Sequence, residues 1–147
     1  LSYAAWGLIF LAAATAVVIW FLLRQPVASG GVYYAAYFLA FAVFMLGTRM
    51  HERYLFPALI FLTAALLWEK KLWGPLAVLS LCHFANTWYI YLRGWRGEIW
   101  APRDDRLGLV IAGMTLAVFL FSLYYLVRRG WVREEAGFTT AERGMDL

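Results

Sequence analysis

The sequence predicts an all-α integral membrane protein, with about five transmembrane helices and a polar C-terminal tail, and three observations carry that prediction. Hydrophobic residues make up 64% of the 147 and charged residues only 15%, whereas soluble domains lie nearer half apolar and a quarter charged. Mean hydropathy is positive, at +0.67. The apolar residues are also gathered into runs near the length of a bilayer crossing, with the charges placed between them.

In chain order, the first helix spans about 3–23, with no charge before Arg24. Gln25-Pro26-Val27-Ala28-Ser29-Gly30-Gly31 follows as a short loop, because proline, serine and paired glycines favour turns. The second helix covers 32–48 and opens on Tyr33, Tyr34, Tyr37 and Phe38, a composition suited to an interfacial aromatic belt. A third helix over 54–68 carries Pro57 in its first turn, where a missing N–H costs nothing. Glu69-Lys70-Lys71 makes a tight polar turn before a fourth helix over 72–92. A charged loop from Arg93 to Arg106 leads to a fifth helix over 107–127, which Arg128-Arg129 is expected to stop. The region 1–130 is thus the helical membrane part, and 131–147 is a polar tail, flexible or docked on a partner.

The net charge of +4 and the pI near 9.4 are met by loop cations facing membrane lipids, so nucleic acid is not implied. With five crossings, Arg24, Lys70, Lys71, Arg128, Arg129 and Arg133 fall on one side, and Arg49, Arg53, Arg93, Arg96, Arg103 and Arg106 on the other, six against six. Setting Arg49 and Arg53 aside as site residues tips the positive-inside rule: the tail is then cytoplasmic and the 48–57 stretch external, in a bacterial cytoplasmic membrane. Cys82 is a lone cysteine, so no intrachain disulfide forms. A first residue of Leu1, with no basic segment before the first apolar run, suggests a processed protein or part of a longer polypeptide, the latter preferred.

Thr48-Arg49-Met50-His51-Glu52-Arg53 places four ionisable residues in the five positions 49–53, directly between two apolar runs. Charge beside hydrocarbon is costly, which makes Arg49, His51, Glu52 and Arg53 functional candidates. Arginines four apart share a face if the segment is helical, and two planar guanidinium forks with a histidine suit a phosphate. Glu52 would orient an arginine or His51. The competing view is an interfacial loop whose arginines snorkel to lipid phosphates. In the fourth helix Ser80, His83, Asn86 and Thr87 can share one face, either as a helix–helix hydrogen-bonding stripe or as the border of a substrate cavity, which adds His83 and Asn86 to the candidates. A bis-histidine haem through His51 and His83 is disfavoured, because no glycine faces either helix to admit a porphyrin. The sequence requires no cofactor, and a divalent metal has no ligand spacing to support it.

The run Arg49-Met50-His51-Glu52-Arg53-Tyr54-Leu55-Phe56-Pro57, after Phe44-Met45-Leu46-Gly47-Thr48, resembles the C-terminal part of bacterial membrane glycosyltransferases of the GT-C class, which use polyprenyl-phosphate sugars. The stretch from Leu79 to Tyr91, with Asn86 before aromatics, resembles the next helix of that group. The helix pattern extends over roughly residues 1–127, but the His-Glu-Arg-Tyr stretch is its specific part. The resemblance implies sugar transfer from a lipid-phosphate donor on the outer membrane face, with His51 and Arg49 or Arg53 stabilising the phosphate leaving group. It also implies about a dozen crossings and an acidic general base in an N-terminal external loop. No acid here occupies such a loop, so the chain alone is expected to lack the base. Its partners would be the lipid-linked sugar donor and other transmembrane helices, of the same polypeptide or of a complex. The alternative from a different class is a non-catalytic accessory or structural subunit of a larger membrane complex.

Overall fold

The computed structural model describes residues 2–25, 30–47, 51–97 and 105–144; at position 52 and over 130–144 the description is of the backbone. Among these residues the chain is all α, without strands, and forms five helices: α1 (Tyr3–Leu23), α2 (Gly31–Leu46), α3 (Phe56–Ala65), α4 (Trp73–Trp95) and α5 (Arg106–Gly144). Short 3₁₀ turns at Glu52–Leu55 and Lys70–Leu72 lead into α3 and α4.

Ser2 caps α1 by accepting the Ala5 N–H at 3.3 Å. The helix that follows is apolar apart from Thr15, whose hydroxyl donates to the Leu11 carbonyl at 2.8 Å. α2 begins after Gly30, which takes the left-handed φ of 64° that a Cβ would disfavour. Space forbids a side chain there as well, since a Cβ would lie 2.5 Å from the Trp68 ring. Trp68 in turn stacks on Tyr33, with ring centroids 4.9 Å apart.

Helices consecutive in the chain run antiparallel. Phe21 of α1 meets Tyr34 of α2 at 6.4 Å, while a Cβ on Gly7 would come within 2.5 Å of the Leu46 carbonyl oxygen at the opposite end. α2 is the hub: Tyr34, Ala35, Tyr37, Phe38, Phe41 and Ala42 are all buried. Phe38 stacks on Phe119 of α5 at 5.4 Å, and Phe41 meets the same ring edge-on at 5.3 Å. Two phenols also enter this core, where an unpaired hydroxyl costs about 1–3 kcal/mol. Ser122 satisfies both of them. Its Oγ donates to the Val118 carbonyl at 2.7 Å, so the Tyr37 hydroxyl is the donor in the 2.7 Å bond to Ser122 Oγ. Tyr34 donates to the Ser122 carbonyl oxygen at 3.0 Å.

This arrangement gives the bundle two ends. One holds Leu46, the turn at Glu52–Leu55, the last turns of α4 and the start of α5, and is called the His51 end. The other, the Arg128 end, holds Gly30, Trp68, the turn at Lys70–Leu72 and Tyr124–Arg129.

Several boundaries differ from those the sequence predicts. The second helix closes at Leu46 rather than 48, because Gly47 turns extended with ψ 145°. The third is not helical from 54 to 68: its α-helical part is the ten residues Phe56–Ala65, and bonds from Leu67 N to Ala64 O and Trp68 N to Ala65 O tighten its end into a turn. Pro57 does fall in the first turn. α4 begins at Trp73 and runs past 92 to Trp95, so Arg93 is helical and not part of a loop. α5 does not stop at Arg128-Arg129 but continues through the expected tail to Gly144. Charge ends an apolar run without breaking the i→i−4 bonds that make a helix. Among the described residues two segments could cross a bilayer by length and apolarity, Tyr3–Leu23 and Arg106–Arg129, while Gly31–Leu46 and Arg53–Ala65 are shorter.

Candidate functional site

The sequence candidates are positioned by the 3₁₀ turn between α2 and α3. His51 precedes it in extended conformation (φ −87°, ψ 154°), without a side-chain cap. The Tyr54 N–H donates to the His51 carbonyl at 3.0 Å and closes the turn. Leu55 is the anchor: 2% exposed, it joins the core and fixes the turn against the bundle, where it also packs on α4. His51 and Arg53 remain exposed. Tyr54 neighbours both, its ring 6.1 Å from the His51 ring and 5.6 Å from the Arg53 guanidinium carbon, the latter within cation–π range. Arg49 lies outside the described residues, as does the Glu52 side chain, and with them the shared arginine face.

The α4 candidates part company. Leu79 and Cys82 are buried and define the inward face of this helix. At about 100° per residue, Asn86 falls near that face, His83 at its edge, and Ser80 and Thr87 farther out. Accordingly Asn86 and His83 are half-buried while Ser80 and Thr87 are exposed. Asn86 lines a cleft of about 200 Å³ with Phe44, Met45, Gly108, Ile111, Ala112 and Thr115. His83 turns toward α3 and meets the Phe56 ring at 6.5 Å; its Nδ1 is buried without a hydrogen-bond partner. The structure thus brings His51, Arg53, His83 and Asn86 to one end of the bundle but does not converge them on a common point. No group of three or more histidine, cysteine or acidic side chains able to hold a metal is found among the described residues.

Asp105 is the acidic side chain described at this end, and its environment keeps it ionised. The Tyr89 hydroxyl donates to Asp105 Oδ2, Arg93 Nη1 donates to the Tyr89 oxygen at 2.7 Å, and the Gly108 and Leu107 N–H groups complete an N-cap for α5. These bonds, the Tyr89 hydroxyl foremost, hold its carboxyl below the usual aspartate value despite some desolvation. A carboxylate so stabilised is a weak proton acceptor.

A second polar constellation stands at the Arg128 end. Glu69, Lys71, Tyr124, Tyr125, Arg128 and Arg129 surround a cleft of about 470 Å³ floored by Phe121. Arg128 Nη1 donates to the Tyr124 hydroxyl at 3.1 Å, and the Tyr125 hydroxyl bonds to Glu69 and Arg129. Sequence reasoning had read these cations as topology signals. The available clue was the pair Tyr124-Tyr125 one helical turn before Arg128-Arg129, a spacing that puts each phenol beneath a guanidinium.

Comparison with protein-family models, with curated proteins and with solved structures finds no match for this chain. The residues and their geometry therefore carry the functional argument.

Proposed function

We propose that the chain is an integral membrane protein, the C-terminal membrane region of a GT-C-like glycosyltransferase, in which His51 and Arg53, with Arg49, contact the phosphate of a lipid-linked sugar donor at the external face. The membrane part of this reading is supported by α1. It is apolar almost throughout, yet only Ala14, Val18 and Phe21 are buried, leaving Leu8, Ile9, Phe10 and Ile19 facing outward. At about 25 cal/mol per Å², such a surface favours hydrocarbon over water, and a core helix of a soluble protein would instead be buried.

The observation that carries the site is the seat of the 3₁₀ turn. Leu55 holds it to the core while His51 and Arg53, both neighbours of the Tyr54 ring, stay exposed at one end of the bundle. Cations fixed at that level could meet a lipid phosphate without the chain leaving the membrane surface. With Asp105 held ionised and weakly basic, the region contributes donor contacts and leaves proton abstraction to residues elsewhere in the enzyme.

The test is turnover of a polyprenyl-phosphate sugar by the full-length polypeptide. Arg53→Ala and His51→Ala are each expected to lower turnover about 100-fold, the usual cost of removing one transition-state charge contact, and unchanged turnover in both overturns the assignment. The second reading, a non-catalytic subunit of a membrane complex, draws on α4. Its exposed Phe84, Trp88, Tyr91 and Trp95 form a continuous row with ring centroids 6.0–6.4 Å apart, a surface suited to another transmembrane helix. Mass spectrometry of the mature protein from its source decides between them: upstream helices on the same polypeptide favour the enzyme, and a mature chain starting near Leu1 favours the subunit.

A further inference from the structure

We propose that the cleft at the Arg128 end and the apolar groove continuing from it between α4 and α5 together bind a phosphate-headed lipid, with its head on Lys71, Arg128 and Arg129 and its chain along Phe121. The proposal rests on the membrane reading above but not on sugar transfer, and it concerns the end of the bundle opposite His51.

The head site is argued from charge. Three cations stand against one carboxylate, and Glu69 is already engaged by the Tyr125 hydroxyl. Arg128 spends Nη1 on Tyr124, and a guanidinium carries five N–H donors, enough for that bond and a phosphate oxygen pair. The tyrosines hold the arginine forks in place, which lowers the entropy lost when an anion binds.

The tail site is argued from shape. A groove of about 370 Å³ runs between α4 and α5, lined by Pro75, Val78, Met114, Ala117, Val118 and Phe121, with almost no polar surface. Pro75 and Ala117 are too short to fill the space between the helices. Phe121, 45% exposed, lines both this groove and the charged cleft, so the two adjoin. A free phosphate would use the cleft and leave the groove unused. A lipid uses both, because its headgroup charge and its chain have the same separation of polar and apolar parts.

Native mass spectrometry of the full-length chain in mild detergent tests this, with phosphatidylglycerol, phosphatidylcholine of the same chains, polyprenyl phosphate and soluble glycerol phosphate as probes. The anionic lipids are expected to bind about tenfold tighter than phosphatidylcholine, and glycerol phosphate to compete about 100-fold less well, since it lacks the chain. Whichever of phosphatidylglycerol and polyprenyl phosphate binds tighter identifies the source of the headgroup. Arg128→Gln with Arg129→Gln should abolish the preference for anionic lipid, and Lys71→Gln, which leaves α5 intact, should reduce it about threefold. Equal binding of anionic and zwitterionic lipid, an undiminished preference in both variants, or glycerol phosphate competing as well as the lipid overturns the proposal. His51→Ala and Arg53→Ala should leave this binding unchanged, which separates its failure from that of the donor-site assignment; loss there instead places the head at the other end and also overturns it.

Discussion

At the His51 end the candidate residues His51 and Arg53 lie two apart in sequence and exposed at one 3₁₀ turn, with Tyr54 as a ring neighbour of both. At the Arg128 end the cations come from two segments more than fifty residues apart, the Glu69–Lys71 stretch and the last apolar turn of α5, and they meet phenols, a carboxylate and an apolar floor. The first end looks denser in the sequence, and the second is better enclosed in space. Local density of charge points to where ions are tolerated, whereas a bounded site needs side chains delivered by separate elements, here by α5 packed antiparallel to α4 and to α2.

The two ends are each closed by a glycine, and exchanging these gives the largest expected difference. Gly30→Ala must force the left-handed φ of 64°, at about 1–2 kcal/mol, and displace Trp68, whose ring lies 2.5 Å from the new Cβ. Trp68 directly precedes Glu69, so the charged cleft should be disturbed as well. Gly7→Ala instead pushes on the Leu46 carbonyl, an overpacking cost of about 1–3 kcal/mol without effect on that cleft. Both variants should melt lower in detergent by thermal shift. Only Gly30→Ala should also lose anionic lipid, and equal lipid retention in the two would break the contrast.

A smaller effect is expected from the polar tie between the ends. Tyr37→Phe removes the hydroxyl that donates to Ser122 Oγ while leaving the Ser122 bond to Val118 intact, at about 1 kcal/mol. Ser122→Ala orphans the Tyr37 phenol within the core, and should therefore cost more than Tyr37→Phe when their urea or thermal midpoints are compared. The reverse order would mean that water reaches the phenol.

Much of the fold was legible because apolar runs and their polar breaks are written directly in the chain: 3–23 matches α1 to the residue, and Pro57 marks the start of α3. Less legible were the helix ends that depend on partners. α3 closes at Ala65 because the chain must turn for Trp68 to stack on Tyr33, a contact between residues 35 positions apart in sequence. The turn before α3 is a like case: Arg53 sits in a 3₁₀ turn whose register is set by the burial of Leu55, which periodicity does not reveal. His83 and Asn86 were legible as polar positions of an apolar helix. That they point to different neighbours, Phe56 and the cleft beside Met45, follows only from where α3 and α5 pack.

Acid should act on the His51 end through Asp105, and by the smallest amount. Asp105 is the group there whose ionised form is favoured by folding, through the Tyr89 hydroxyl first and then the Gly108 and Leu107 N–H groups and Arg93. Its carboxyl is depressed below the ordinary aspartate value, so the stabilisation is fully present above that value and fades as the pH falls through the lower folded one. Protonation also weakens the bonds from Tyr89 and from the first N–H groups of α5, because a neutral carboxyl still accepts but without the charge. Amide exchange at Leu107, Gly108 and Leu109 should therefore speed up in acid beyond its intrinsic pH dependence. Asp105→Asn should show the faster exchange at neutral pH and no further response to acid. If the variant still responds, another group at that end is titrating, and the difference drawn between the two ends must be reassigned to it.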